Sequence, residues 1–412
     1  MKVYKFGGAS IKDAEAVRNM CSIVKEHKNE PLLVVVSAMG KMTNALEKAL
    51  ADQRANGLAD IQDIVIYHHS IAEQLFDKGH EVYGRIDLLL GELKRHLSSD
   101  LPFNQHYDQV VSIGELLSST IISAYLDVCG TANEWVDART FICTDENYRN
   151  GRIDWSLTCD RIIRLQDGLS QHVILTQGFI GGTTTGFTTT LGREGSDFSA
   201  AIFASCLNAD SLTVWKDVPG ILNADPKLID DAQLYDELHF KEAAEMTYYG
   251  ASVIHPKTIK PLANKNIPLY VRSFTNPADN GTIIHGQAND KKLPTIIIKP
   301  EQCLVSFGVI DYTFINEENL SLIFQELAKL DVKINIMQNS AISFSIVIDY
   351  QEEKLKELII ILSRHFSIRY NTGLTLITIK DYQPGSIDKY MTGKHILLEQ
   401  KSRNNYRALF TN

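Results

Sequence analysis

A lysine and two glycines near the N-terminus form a candidate anion-binding turn. The apolar run around Lys5 is followed by Gly7 and Gly8, and then by residues 11–28, whose apolar positions suit one face of a helix. A glycine turn that leads into a helix exposes backbone N–H groups at the positive end of the helix dipole, which favours phosphate. Lys5 would add a mobile positive charge. The alternative is a tight connection with a surface lysine, and no Walker A loop is present.

Polar residues in apolar surroundings recur further along the chain. Residues 37–40 follow a continuous apolar run and form a second turn of this kind, whose alternative role is an ordinary helix cap. Glu115 lies in an otherwise apolar helix, where a lone acid is costly to bury unless it has a partner, such as a structural arginine. Ser196 and Asp197 open another helix, where they could also serve as caps.

Length and composition limit the class of protein. The chain has 412 residues, of which 44% are hydrophobic and 22% charged, as is typical of a soluble globular protein with two or three domains. A net charge of -9 argues against a nucleic-acid surface, and no apolar run approaches the ~20 residues of a membrane span. Six scattered cysteines without a C-x-x-C pair indicate free thiols and a cytoplasmic location.

The order of apolar segments predicts an α/β fold for residues 1–292. Continuous apolar runs such as 31–39 and 172–180 are typical of strands buried on both faces, and helical patterns lie between them. This alternation predicts an open α/β/α sandwich around a mostly parallel sheet. Two turn-rich loops, 181–197 and 216–227, follow strand ends, where ligands bind in such sheets.

The pattern changes after residue 292, which predicts a second domain at 293–412. Strand, helix, two strands, helix and strand follow one another between 302 and 380, the βαββαβ arrangement of a ferredoxin-like module. One module is therefore nearly complete at about 315–380. The segment 295–300 and the short remainder after 380 predict a second, reduced module.

Eight motifs in order resemble the aspartate kinases (aspartokinases), which are members of the amino-acid kinase family. The C-terminal part resembles their ACT regulatory region. The motifs are KFGGAS (5–10), VVSAMGKMTNAL (35–46), SIGELLSS (112–119), QGFIG (177–181), TTLGREGSDFSA (189–200), VWKDVPGILNADPK (214–227), EAAEMTYYGASVIHP (242–256) and NGTII (280–284). The resemblance implies an enzyme that converts L-aspartate and MgATP into 4-phospho-L-aspartate and ADP. This reaction is the first step towards lysine, threonine and methionine.

The resemblance also implies roles for particular residues. Lys5 and Asp197 would be catalytic, and Thr43, Glu115, Arg193 and Ser196 would bind aspartate, with Glu115 on its ammonium and Arg193 on its α-carboxylate. ATP and Mg²⁺ are the implied cofactors. The implied ATP-binding residues are Lys5, Gly7, Gly8, Ser10, Ser37, Gly40, Lys216, Asp217, Leu222, Lys227, Ser252 and Lys257.

Some of these positions depart from the family pattern. Lys216 stands where threonine is common, Leu222 where an aromatic residue is frequent, and Lys227 where arginine is frequent. Ser252 stands where the family has a lysine, and Lys257 could supply that positive charge instead. Outside the ATP-binding set, Glu194 takes the place of a usual glycine beside Arg193.

In the ACT region the resemblance implies a homodimer and an amino-acid effector, lysine or threonine. Gln338, Asn339 and Ser340 match the region that often holds the effector, although Ala341 stands near a position where some lysine-sensing members have an acid.

Three other functions compete with this interpretation. A related kinase, such as a glutamate kinase, is disfavoured by the Glu115 motif, the LGREGSD stretch and the ACT-like tail. A non-catalytic amino-acid sensor is disfavoured by the intact Lys5, Glu115, Arg193 and Asp197. A dinucleotide-binding dehydrogenase is disfavoured because no G-x-G-x-x-G follows a strand.

Overall fold

The computed structural model describes residues 1–251, 254–287, 293–310 and 313–411, which form two compact units. The first unit contains Met1–Ile221, Leu234–Thr247 and Ser252–Asp290, and the second contains Leu222–Gln233, Tyr248–Ala251 and Lys291–Asn412. The domain boundary predicted between residues 292 and 293 falls at the edge of 288–292, which lie outside the described residues, and it stays a prediction.

Eleven strands and eleven helices are described between residues 1 and 287, all in the first unit except Tyr248 and Tyr249 at the end of one helix. The strands are β1 (Lys2–Phe6), β2 (Leu32–Val36), β3 (Asn133–Val136), β4 (Cys143–Thr144), β5 (Val173–Gln177), β6 (Ile180–Thr183), β7 (Thr188–Thr190), β8 (Ser211–Lys216), β9 (Glu237–His239), β10 (Leu269–Ser273) and β11 (Thr282–His285). The helices are α1 (Ala14–Glu26), α2 (Met42–Asn56), α3 (Gln62–Leu75), α4 (Val82–Leu97), α5 (Phe103–Val128), α6 (Ala138–Phe141), α7 (Trp155–Ile162), α8 (Gln166–Leu169), α9 (Gly195–Cys206), α10 (Phe240–Tyr249) and α11 (Pro256–Lys265). Short 3₁₀ turns lie at Gly8–Ile11 and Ile163–Leu165.

An eight-stranded sheet in the order β3-β5-β2-β1-β8-β10-β11-β9 organises this unit. Its central strands are parallel, and β11 runs antiparallel to β10. Every residue of β2 is buried, because helices cover both faces of the sheet. The predicted α/β/α sandwich is confirmed. A small sheet, β4-β6-β7, contains the hairpin Ile180–Thr183 with Thr188–Thr190.

Helix α5 is the longest helix of the unit and forms part of its core. Twenty of its 26 residues are buried, including the polar Asp108 and Glu115. By length and composition alone it could cross a membrane, but 89% of its most apolar window is buried inside the protein. It is therefore a core helix of this unit.

The second unit is built on one six-stranded antiparallel sheet in the order β13-β14-β12-β15-β17-β16. Strands β12 and β15 are each 15 residues long and serve both halves of the sheet. The strands are β12 (Thr295–Val309), β13 (Ile334–Asn339), β14 (Ser343–Asp349), β15 (Phe366–Lys380), β16 (His395–Lys401) and β17 (Asn405–Thr411). The helices are α12 (Glu317–Lys329), α13 (Glu352–Leu362) and α14 (Ser386–Met391).

The two halves of this sheet differ in how they are covered. The β13-β14-β12-β15 half has two helices and the strand order of a ferredoxin-like module, as expected from the sequence. The other half has the single short helix α14. Its apolar face is completed by Ala224 and Ile229 of the segment 222–233, which pack with Ile377, Ile379 and neighbouring residues. A loop segment thus takes the place that a second helix would occupy.

One sequence expectation about the cysteines is wrong. Cys159 of α7 and Cys206 of α9 form a disulfide, although all six cysteines were expected to be free thiols. The Cα atoms lie 4.9 Å apart across 47 residues of sequence, so the pairing depends on how α7 and α9 pack and leaves no C-x-x-C signature. The other four cysteines are free.

Candidate active site

Two adjacent parallel strands and one helix bring three charged residues together. β1 and β8 are paired so that Lys5 lies beside Val214, and both strands end at the same edge of the sheet. The ammonium of Lys5 lies 2.6 Å from the Asp197 carboxylate at the start of α9, and that of Lys216 lies 3.7 Å from it. Burial raises the pKa of Asp197, but the two ammonium groups outweigh it and hold the pKa below its usual value.

The two glycine turns predicted from the sequence pack directly against each other. The Gly40 N–H donates to the Gly8 carbonyl at 3.0 Å. A Cβ atom at Gly8 would lie only 2.7 Å from the carbonyl oxygens of Ala38 and Gly40, so no larger residue fits there without a shift. Both turns therefore line one site.

A cavity of about 400 Å³ opens beside these turns. Its wall contains seven of the residues that the resemblance assigned to substrate or nucleotide, together with eight others. The lining residues are Gly8, Ser37, Ala38, Gly40, Thr43, Tyr107, Glu115, Arg149, Phe179, Thr190, Gly192, Arg193, Glu194, Gly195 and Ser196. The volume suits a small amino acid with part of a second ligand.

Glu115 is the most unusual group in this wall. Its Oε1 accepts from the backbone N–H of Ala38 at 3.4 Å, and its Oε2 has no partner among the described residues. Burial raises the pKa of the carboxyl from its ordinary 4.5 to about 8. The structural arginine considered as its partner is absent from the described part of the chain, which leaves the acid without a cation.

Arg193 and Glu194 lie in the turn before α9. Within the described residues, neither side chain forms an ion pair, and one carboxylate oxygen of Glu194 is buried without a partner. The backbone of Glu194 has φ 55°, the left-handed region that favours glycine. The guanidinium of Arg193 is therefore available to an anion.

Sequence reasoning missed Tyr107, Arg149, Phe179 and Thr190 as cavity residues. The sequence around Tyr107 did contain an indication, because the next residue, Asp108, is a second acid in the apolar helix α5, where it is buried. Its carboxylate accepts from the Thr190 hydroxyl at 2.7 Å and from the Arg149 N–H at 2.8 Å. It thereby holds the loop at Arg149 and the end of β7 at the cavity.

The residues assigned to ATP are only partly brought together. In the first unit, Gly7 lies beside Lys5, Asp217 is exposed just after β8, and the Ser10 hydroxyl donates to the Trp215 carbonyl at 3.3 Å. Lys257 lines a separate cavity with Trp155, Phe198 and other residues. Leu222 and Lys227 belong to the second unit, and Ser252 lies outside the described residues. These nucleotide assignments stay predictions.

Comparison with known proteins identifies relatives of the chain. The model of the amino acid kinase family matches residues 1–273. The chain is 29% identical to the lysine-sensitive aspartokinase 3 of Escherichia coli over 84% of its length and 78% of that protein. It is 31% identical to an aspartokinase of Chlamydia pneumoniae over 92% and 84% of the two chains. The crystal structure of E. coli aspartokinase III with aspartate and ADP superimposes with a TM-score of 0.86, at 26% identity, covering 100% and 96% of the two chains.

By fold and by sequence, the chain belongs to the amino acid kinase family. Within this family it is an aspartokinase, an enzyme that phosphorylates aspartate with ATP in the first step of the aspartate-derived amino-acid pathway. The function expected from the eight motifs is confirmed.

Proposed function

We propose that aspartate binds in the 400 Å³ cavity with its ammonium on Glu115 and its α-carboxylate on Arg193. The observation that carries this placement is the unpartnered Oε2 of Glu115, an acid that lacks a cation in the wall that also contains a free guanidinium. An α-amino acid supplies both missing charges. Thr43 and Ser196 lie in the same wall and would add hydrogen bonds.

The β-carboxylate then points to the Lys5 end of the site. With an ordinary pKa near ~3.9 it is ionised at neutral pH, so it attacks the γ-phosphorus without a general base. The barrier is repulsion between two anions, which positioning and charge neutralisation lower. Lys5, held by Asp197 at 2.6 Å, supplies the positive charge that meets the transferred phosphoryl group.

Mg²⁺ would accompany the nucleotide. The described residues contain no cluster of three or more metal-ligating side chains, and magnesium that binds with a triphosphate needs only one or two carboxylates. Asp197 and Asp217 fit this requirement, and the ion would neutralise charge on the phosphates. Gly7, Gly8, Ser37 and Gly40 frame the phosphates in the proposed arrangement.

The function is tested by measuring ATP-dependent acyl-phosphate formation with aspartate and with glutamate. We expect aspartate to be the better substrate, because one extra methylene would push the carboxylate past Lys5 once both ends of the amino acid are fixed. Equal rates with glutamate would contradict the substrate assignment. Parallel assays with lysine, threonine and methionine test feedback.

Replacement of Arg193 by lysine should weaken aspartate binding and spare ATP binding. Lysine keeps the charge but loses the planar fork that matches two carboxylate oxygens. We expect the KM for aspartate to rise about tenfold, while the Kd of a non-hydrolysable ATP analogue, measured by titration calorimetry, changes less than about twofold. A collapse of nucleotide affinity would instead place Arg193 on the ATP side. The variant Arg152→Lys, at another exposed arginine, is the matched control.

The second unit would bind an amino-acid effector, lysine or threonine. Support comes from its ferredoxin-like sheet and from the lysine sensitivity named for the E. coli relative. Gln338, Asn339 and Ser340 are exposed at the end of β13, where a ligand can reach them. Binding there would bias the protein between two states and so change activity.

We expect a homodimer that forms through the second unit. The exposed apolar residues Ile310, Phe314 and Ile342 lie in segments joined by backbone hydrogen bonds, from Val309 to Ile342 and from Ile315 to Ala341. An apolar patch of this kind is typical of a protein interface. The two edges of the sheet are less available, because Gln400 of β16 donates to the Met337 carbonyl of β13 at 2.7 Å.

The variant Phe314→Asp should therefore dissociate the dimer. Phe314 is 69% exposed, and an unpaired carboxylate at a buried interface is costly. Light scattering at micromolar concentration should report half the mass of the parent protein. Leu58→Asp is the control, since Leu58 is 77% exposed in the first unit. A dimeric Phe314→Asp variant would place the interface elsewhere, and a monomeric parent would exclude the dimer.

The proposed location is the cytoplasm, where ATP and free amino acids are present. The Cys159–Cys206 disulfide removes one argument for that location, since scattered free thiols were part of the original reason.

A further inference from the structure

Arg149 is a second cation in the wall of the substrate cavity. Among the lining residues, the only positively charged side chains are those of Arg149 and Arg193. We infer that Arg149 binds the α-carboxylate of aspartate together with Arg193, and that it contributes to the preference for a substrate with a charged α-carboxylate. This inference rests on the proposed placement of aspartate in the cavity.

The backbone of Arg149 is held in an unusual conformation. Its φ of 66° lies in the left-handed region, which is uncommon for a residue with a long side chain. The Arg149 N–H donates to a buried carboxylate oxygen of Asp108 at 2.8 Å, and the Thr190 N–H donates to the same oxygen at 2.9 Å. Glycine would meet this conformation without strain. The arginine is therefore held here at some conformational cost.

Arg149 also lies on the same wall as Arg193. A Cβ atom at Gly192 would be 3.2 Å from the Arg149 carbonyl oxygen and 3.1 Å from Asn150 Oδ1. The turn that carries Arg193 therefore packs directly on the turn that carries Arg149. Two guanidinium groups on adjoining turns can approach one carboxylate from two sides.

The guanidinium of Arg149 is positioned by aromatic rings. It lies 4.4 Å from the ring centre of Tyr107, a cavity residue, and 5.6 Å from that of Phe103. The Tyr107 hydroxyl donates to Glu47 at 2.5 Å, which fixes the ring. Stacking on these rings leaves the N–H groups of the guanidinium open, and Arg149 has no ion pair within the described residues.

The balance of charges around the cavity favours a second cation. Glu115 and Glu194 each have a buried carboxylate oxygen without a partner, and aspartate brings a net charge of minus one. With Glu115 ionised, Arg193 alone leaves the cavity and its substrate with an excess of two negative charges. Arg149 halves this excess. Lys5 and Lys216 do not serve here, because both are engaged with Asp197 at the phosphoryl end.

The test compares L-aspartate with its α-amide, which keeps the ammonium and the β-carboxylate but has no α-carboxylate charge. Arg149→Gly is the informative variant, because glycine suits φ 66° and should leave the melting temperature equal or higher. We expect its KM for aspartate to rise about 10- to 100-fold and its kcat to change less than about threefold. The kcat/KM for the α-amide should stay within about threefold, so the preference for aspartate falls. Arg149→Lys should recover part of the loss.

The control variant is Arg152→Gly, three residues along the same loop, with an exposed side chain. An unchanged KM for aspartate in Arg149→Gly, or an equal loss for aspartate and the α-amide, would overturn the inference. If Arg193→Lys shifts the KM and Arg149→Gly does not, only the role of Arg149 fails. If neither shifts it, the placement of aspartate in this cavity fails.

Discussion

Replacement of Lys5 by alanine should lower kcat by about 100-fold or more, while the KM values for aspartate and ATP change less than about threefold. The Lys5 ammonium lies 2.6 Å from Asp197 at the carboxyl end of β1, where the proposed phosphoryl transfer takes place. A charge that meets the transition state more strongly than the ground state acts on kcat. Loss of one such preorganised contact typically costs two to three orders of magnitude.

The measurement is steady-state turnover at saturating aspartate and ATP, with a thermal melt of each variant. Lys5→Arg, which keeps the charge, separates loss of catalysis from burial of an uncompensated Asp197, since Lys216 remains 3.7 Å from that carboxylate. Lys2→Ala is the matched control in the same strand, because among the described residues Lys2 forms an ion pair only with the partly exposed Glu30. Near-normal turnover in a folded Lys5→Ala protein would remove Lys5 from the chemical step.

The fold of the first unit could be predicted because its strands have sequences that few other structures would explain. Strands such as β2 and β5 are buried at every position, so their sequences are mostly apolar runs, which are typical of central strands in a layered sheet. The alternation of strands and helices then defines the α/β/α arrangement. The second unit was predictable from the order of its elements between 302 and 380, which is that of a ferredoxin-like module.

Long-range packing accounts for what the sequence did not reveal about the fold. The segment 222–233 is a polar loop by composition, yet Ala224 and Ile229 cover the sheet of the second unit. The Cys159–Cys206 bond likewise joins two helices that are distant in sequence. Neither leaves a local pattern, because the partner that gives each residue its role is far away along the chain.

At the site, a residue could be predicted where its side chain differs chemically from its neighbours in the sequence. Glu115 is recognisable because an acid in an apolar helix needs a reason, and Lys5 because it interrupts an apolar strand before two glycines. Arg149 has no such contrast, since its neighbours are polar loop residues. Its position depends on the buried carboxylate of Asp108 and on the ring of Tyr107, which only the folded chain brings to it.

The pKa of Glu115 predicts how aspartate binding depends on pH. Burial raises this pKa to about 8, so the free enzyme holds a neutral carboxyl at pH 7 that must ionise to pair with the substrate ammonium. The KM for aspartate should therefore fall roughly 10- to 30-fold between pH 6.5 and 8.5. Glu115→Gln should raise the KM at pH 8.5 by about 100-fold and remove the pH dependence, with ATP-analogue binding unchanged.

The raised pKa of Glu115 also predicts how the stability of the protein depends on pH, and the sign of this dependence can be checked independently. The folded state binds this proton more tightly than the unfolded state, whose pKa is near 4.5, so the free energy of unfolding falls as pH rises from about 4.5 to about 8. Relative to Glu115→Gln, the ligand-free parent should therefore lose stability across that range in denaturant titrations. Saturating aspartate should restore part of it at pH 8, because the ammonium compensates the ionised acid. Parallel stability curves for the two proteins from pH 5 to pH 8, together with a flat KM profile, would mean that Glu115 is ionised in the free enzyme and already has a cation that the proposed site leaves out.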